Sequence, residues 1–136
     1  LYVIAYIPHH NNHIALVLQD ILEMEVSNDT FHKIPKFDFR KWSKKRFGVF
    51  FGKIRKVVLK VDKKYKHYFE NRMFHPTQQI TKDVEDNLII TLRVPLGRDF
   101  KAWILSWSEA ITVLKPVELI KQINLSLRNT LKNYEK

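Results

Sequence analysis

Residues 55–72 read Arg-Lys-Val-Val-Leu-Lys-Val-Asp-Lys-Lys-Tyr-Lys-His-Tyr-Phe-Glu-Asn-Arg, and the change of pattern inside them sets the fold class. Val57, Leu59 and Val61 alternate with Val58 and Lys60, which is the period of a strand with one buried face. Asp62 then stands where an N-cap belongs, because its short carboxylate can accept from the backbone N–H groups that open a helix. The spacing predicts a helix over residues 63–72 and therefore one β-α step. Residues 80–84 and 88–94 read as two further strands around Glu85-Asp86-Asn87, with Leu88, Ile90, Leu92 and Val94 on one face. Phe100, Trp103, Ile104 and Trp107 fall at i, i+3, i+4 and i+7, a helical stripe. A strand over 111–114 follows. Pro116 opens a last helix whose buried stripe is Ile120, Ile123, Leu127, Leu131 and Tyr134, with Arg128 and Lys132 near its negative end.

Working upstream, the pattern is β-rich. Residues 1–7 (Leu-Tyr-Val-Ile-Ala-Tyr-Ile) and 14–18 predict a hairpin across Pro8 and the turn residues His9-His10-Asn11-Asn12. Residues 21–26 predict a bent strand, with helix as the competing reading. Residues 33–52 mix aromatics, bases, Pro35 and two glycines around a short helix over 39–45. The expectation is an α+β chain divided near Gly52. Residues 1–52 would form a small barrel-like β part. Residues 53–136, in the order β-α-β-β-α-β-α, would form a ferredoxin-like layer of helices on an antiparallel sheet with an added C-terminal helix.

At 136 residues with 45% hydrophobic and 28% charged residues, the chain has the balance of a folded protein rather than a disordered one. The net charge of +10 points toward an anionic partner such as nucleic acid or nucleotide. The absence of cysteine excludes disulfides, thiolate metal sites and cysteine nucleophiles, and agrees with a cytoplasmic location. The longest apolar run, residues 1–8, is too short to span a bilayer, so no membrane role is expected. Leu1 falls in mid-strand without a Met, and the expectation is a fragment whose N-terminal part was removed.

Motifs for catalysis are not found. Neither a Gly-x-Ser-x-Gly elbow nor a Gly-rich phosphate loop occurs, and no cofactor is expected. His9, His10 and His13 read as polar turn residues rather than metal ligands. Asp83, Glu85 and Asp86 bracket a turn and read as a solvated acidic tip. Trp103 reads as core, and Trp107 as either core or a stacking surface. Residues 33–60 carry eleven Lys or Arg against the single acid Asp38, interleaved with six aromatics, which is the composition of a single-strand binder or of a solvated basic face.

Phe69-Glu70-Asn71-Arg72-Met73-Phe74-His75-Pro76-Thr77-Gln78 resembles a segment of the bacterial WYL-domain transcriptional regulators that runs Glu, Arg, an aromatic, His, Pro, Ser, Gln. Trp103-Ile104-Leu105-Ser106-Trp107, Val113-Leu114-Lys115-Pro116 and the closing helix resemble that family's C-terminal extension. Leu1-Tyr2-Val3 sits where the name-giving Trp-Tyr-Leu falls, and Phe31, Pro35, Phe37-Asp38 and Phe47-Gly48-Val49-Phe50 match the pattern that follows. The sequence departs from the family at Leu1, and in residues 14–21, which replace an arginine-rich strand without its arginines.

The resemblance implies a partial WYL domain over 1–52, a small Sm-like, SH3-type β-barrel, followed by the ferredoxin-like extension over 53–136. It implies a cytoplasmic homodimer that senses an anionic effector, single-stranded nucleic acid or a nucleotide, and signals to duplex DNA through a preceding helix-turn-helix. The expected ligand contacts are Tyr2, His9, Arg72, His75 and Gln78. His75 and Gln78 have a second reading, as polar groups that tie their loop to neighbouring backbone. The alternative is a stand-alone nucleic-acid-binding module using Lys41, Trp42, Lys44, Lys45 and Arg46. Neither reading is enzymatic.

Overall fold

The computed structural model describes residues 1–30 and 36–135 and separates the chain into two compact units, Leu1–Phe39 and Arg40–Lys136. Phe31 and Pro35, two of the residues that carry the resemblance, lie outside the described residues.

The first unit is built on a hairpin. Strands β1 (Tyr2–Ile7) and β2 (Asn12–Val17) pair antiparallel from Tyr2 opposite Val17 to Ile7 opposite Asn12. A 3₁₀ turn over Pro8–His10 joins them, closed by Asn11 in the left-handed conformation that asparagine tolerates. The Asn11 N–H donates to the Pro8 carbonyl at 3.0 Å, and the Tyr6 hydroxyl donates to Asn11 Oδ1 at 2.8 Å. The His13 ring lies between those of Tyr6 and Phe37, at centroid distances of 5.2 and 4.6 Å.

The expected bent strand over 21–26 does not form. Its apolar residues Leu22, Met24 and Val26 are almost fully exposed, because no neighbouring strand among the described residues completes a ladder beside them. The described residues of this unit contain a two-stranded sheet and no closed barrel.

The second unit is organised by one sheet. Strand β5 (Ile54–Val61) pairs antiparallel with both β7 (Leu88–Pro95) and β8 (Ile111–Lys115), and β6 (Gln79–Lys82) pairs with β7, giving the order β6-β7-β5-β8. The register sets Val57 opposite Leu92, Leu59 opposite Ile90 and Val61 opposite Leu88, all essentially inaccessible to water. Each such side chain contributes about 1.5–3 kcal/mol on burial, so these two strands dominate the core. Helix α2 (Arg98–Ser106) covers the apolar rows with Phe100 and Ile104, and α3 (Val117–Tyr134) adds Leu119. The unit is α+β, with its helices against an antiparallel sheet.

The predicted helix over 63–72 is shorter and tighter, a 3₁₀ helix over Lys63–Tyr68. Its cap is the expected one: Asp62 Oδ1 accepts from the Lys64 N–H at 2.8 Å. The first turn carries Lys63 and Lys64 with no acid, which opposes the positive end of a helix and helps explain why a regular α-helix does not propagate. The last helix runs over Val117–Tyr134, but only Leu119 is fully buried, with Ile120 and Ile123 packed at the core's edge. Leu127, Leu131 and Tyr134, expected on a buried stripe, are exposed because the helix continues past the layer that covers its first turns.

A smaller device closes the unit's N-terminal side. Helix α1 (Phe39–Ser43) leads into the two-residue strands β3 (Arg46–Phe47) and β4 (Phe50–Phe51). Gly48 between them has φ +61, and a Cβ there would lie 2.3 Å from Asp99 Oδ2, so only glycine lets Asp99 approach. Asp99 Oδ2 accepts from the Val49 N–H at 3.2 Å and fixes this turn to the start of α2.

Candidate functional site

The loop over residues 69–78 is held from inside by aromatic packing. Phe69 is fully buried, its ring 4.6 Å from Trp107 and 5.4 Å from Phe74, and Phe74 lies 5.1 Å from Trp103. Both tryptophans therefore pack against the core, which decides the open reading of Trp107. Gln78 clamps the loop across its width: Oε1 accepts from the Phe74 N–H at 3.0 Å and Nε2 donates to the Arg72 carbonyl at 2.7 Å.

His75 is the loop's second anchor and is only 3% exposed. Nδ1 faces the Thr77 N–H at 3.2 Å and the Thr77 hydroxyl at 2.8 Å, and Nε2 lies 2.8 Å from the Arg46 carbonyl. The Thr77 N–H must donate, so Nδ1 accepts and the proton sits on Nε2, which donates to Arg46. Burial lowers the imidazole's pKa, opposed by the backbone carbonyls of Arg46 and Ser43. Thr77 extends the chain of bonds, its Oγ1 accepting from the Arg93 N–H at 2.9 Å. His75, expected as a ligand contact, is instead committed to backbone 29 residues away and to Thr77.

Of the expected contacts, Arg72 and Gln78 come together. They line an open cleft of about 320 Å³ with Glu70, Asn71, Met73 and Ile80. Arg72 is exposed at its edge. Tyr2 and His9 belong to the other unit, where they are not brought together. Tyr2 opens β1 and His9 lies beyond its far end, about 20 Å away at the rise of an extended strand. Among the described residues no group of three or more His, Asp or Glu gathers as a metal site.

The alternative set behaves differently. Lys41, Lys44 and Lys45 are exposed on α1 and the turn after it, whereas Trp42 and Arg46 are half-buried. The Arg46 guanidinium stands 4.0 Å over the Trp42 ring and 5.4 Å from that of Phe51, and Nη1 donates to the Trp42 carbonyl at 3.3 Å. Burial lowers the Arg46 pKa from its ordinary value, and the cation–π contact favours the charged form.

The acidic tip between β6 and β7 is not merely solvated. Asp83 Oδ1 accepts from the backbone N–H groups of Glu85 and Asn87, both at 2.9 Å, and buried Asn87 accepts from the Lys63 N–H at 3.1 Å. Hydrogen bonds from the Asn87 side chain hold Asp83 below its ordinary pKa, and those from Lys66 do the same for Asp86. Lys60, paired with Glu85 and Asp83, titrates above its ordinary value. Three lysines, 60, 66 and 82, thus face acids, and the excess positive charge lies elsewhere. The bond between His75 and Arg46 and the grip of Asp99 on the Val49 turn have no local sequence signal, since each joins positions far apart in the chain.

The family model described as the WCX domain matches residues 53–131. No curated protein matches the chain.

Because His75 is buried neutral, its folded pKa lies below the unfolded value near 6.5. Below about pH 6.5 the unfolded chain binds a proton that the folded one refuses, so stability falls as pH drops through that value and is level above it. Urea unfolding at pH 7 and pH 5.5 should show this loss. His75→Ala should cost about 1–3 kcal/mol at pH 7, by leaving the Arg46 carbonyl unpaired, and should flatten the dependence. An unchanged slope in the variant would contradict the assignment.

Proposed function

The chain belongs to the WCX domain family, C-terminal domains associated with WYL domains, and on that premise we propose that it is the effector-sensing and dimerising part of a transcriptional regulator. The observation that carries this reading is the cleft at residues 70–80, where a guanidinium and an amide side chain meet on a loop locked by Gln78, His75 and Phe69. A rigid loop spends little ordering entropy on a ligand. The ligand in this reading is anionic, single-stranded nucleic acid or a nucleotide, with phosphate on Arg72 and apolar parts against Met73 and Ile80. Glu70 on the same rim disfavours a bare anion and selects a ligand that also offers hydrogen-bond donors.

In this reading the sheet order β6-β7-β5-β8 is that of a ferredoxin-like layer, and the hairpin of the first unit belongs to an Sm-like, SH3-type barrel. A helix-turn-helix preceding the chain would contact duplex DNA, and the chain itself would have no catalytic role. Its place is the cytoplasm; among the described residues no helix is long and apolar enough to cross a membrane. Binding that favours one dimer arrangement would shift its population, the least a switch requires.

A second reading, a nucleic-acid-binding module without a switch, draws on Lys41, Trp42, Lys44, Lys45 and Arg46, and is favoured by the Arg46–Trp42 stack. The two readings separate on salt. Fluorescence polarisation of a labelled single-stranded oligonucleotide should give saturable binding that persists near physiological salt, and Arg72→Ala should weaken it about tenfold, the scale of one charge-assisted hydrogen bond. Unchanged affinity in the folded variant, with a steep fall in salt, would favour the second reading.

Dimerisation is assigned to the projecting half of α3, where Leu127, Leu131 and Tyr134 are 49%, 56% and 82% exposed on one stripe. Sedimentation should give a dimer for the chain and a monomer for Leu131→Asp with unchanged helix content. A dimer that survives the substitution would place the interface elsewhere.

A further inference from the structure

A second cleft, of about 250 Å³, opens where β5 begins and β7 ends. Phe51, Gly52, Lys53, Arg55, Pro95, Leu96, Gly97 and Glu118 line it, all within the second unit. We propose that this cleft holds a nucleoside monophosphate, with the phosphate on Arg55 and Lys53 and the base stacked on Phe51. The proposal goes beyond the effector reading, since it uses neither Arg72 nor a conformational switch.

Three observations carry it. The Arg55 Nε donates to Glu118 Oε1 at 3.0 Å, which fixes the plane of the guanidinium. Among the described residues nothing accepts from its two Nη groups, the fork that matches a phosphate's oxygens. Lys53 is exposed and has no ion-pair partner among the described residues, so a second full charge faces the same opening. With two cations against one carboxylate already spent on orientation, the cleft favours an anion.

Phe51 supplies the remainder. It is 77% exposed, unusual for a phenylalanine, and stands with the Arg46 guanidinium 5.4 Å from its ring. An exposed aromatic beside two cations is the arrangement that accepts a base and its phosphate together. At the cleft's rim Gly97 lets the Phe50 side chain approach closely, since a Cβ there would lie 3.1 Å from it. The volume lies just under the usual range for small-ligand sites, about 300–1,000 Å³, and so suits one nucleotide rather than a folded oligonucleotide.

The test is calorimetric titration of the 136-residue chain with adenosine 5′-monophosphate at low ionic strength. One saturable site is expected, weakened at least tenfold in Arg55→Ala and in Lys53→Ala. Lys53 is exposed, so its variant remains informative even if loss of the Arg55–Glu118 pair unsettles the fold. Phe51→Ala should weaken the nucleotide while leaving inorganic phosphate unaffected, and Arg72→Ala should change neither. Competition by a 5′-phosphorylated oligothymidylate, and not by its unphosphorylated twin, would identify the phosphate as a strand end; its absence would identify a free nucleotide. No saturable binding, equal affinity in the Lys53 variant, or equal affinity in the Phe51 variant would overturn the proposal. Loss of binding only in Arg72→Ala would overturn it too, and would leave the effector reading standing.

Discussion

Seven side chains on two adjacent strands, Val57, Leu59 and Val61 on β5 and Leu88, Ile90, Leu92 and Val94 on β7, leave water together, and the second unit is arranged around that requirement. One face of an antiparallel sheet can be buried only if other elements supply apolar cover. Phe69 just after the 3₁₀ helix, Phe100 and Ile104 from α2, and Leu119 from α3 supply it. Because Phe69 is part of that cover, the loop that follows it cannot drift. Residues 70–78 emerge from the core already fixed at one end, and Gln78 and His75 fix the rest.

This arrangement gives the polar residues two distinct jobs. His75, Gln78, Thr77, Asp99 and Asn87 bond to backbone and hold loops at set positions. Arg72, Lys53 and Phe51 are left at openings where a ligand can reach them. Charge is sorted in the same way. The acidic tip of the β6–β7 turn pairs with Lys60, Lys66 and Lys82, while Lys41, Lys44 and Lys45 on and after α1, and Lys53 ahead of β5, are exposed and lie away from it in sequence. A net charge of +10 is therefore not a uniform coat, and attraction for an anion concentrates away from the tip.

Much of the sheet was legible in the sequence, because period-2 alternation in 57–61 and 88–94 reports directly which side chains face the core. The α2 stripe and the Asp62 cap were legible for the same local reason. Residues 21–26 also alternate, yet form no strand, since alternation cannot supply a partner strand. The stripe of α3 was read correctly as amphipathic and incorrectly as buried; helical periodicity says that a face is apolar and not what covers it. The site was the least legible part. That Arg72 and Gln78 share a cleft followed from their nearness in sequence, but the burial of His75 depends on a carbonyl at position 46. The second cleft joins residues from 51 to 118, and no local pattern announces it.

In the proposed reading an anionic strand is read at the clamped loop rather than by the basic stretch around α1. Backbone amide NMR shifts of the chain, followed during titration with a short single-stranded oligonucleotide near physiological salt, test it most directly. Saturable shifts centred on residues 70–80 are expected, with the amides of 41–46 little changed. Shifts centred on 41–46, or none that saturate, would contradict it.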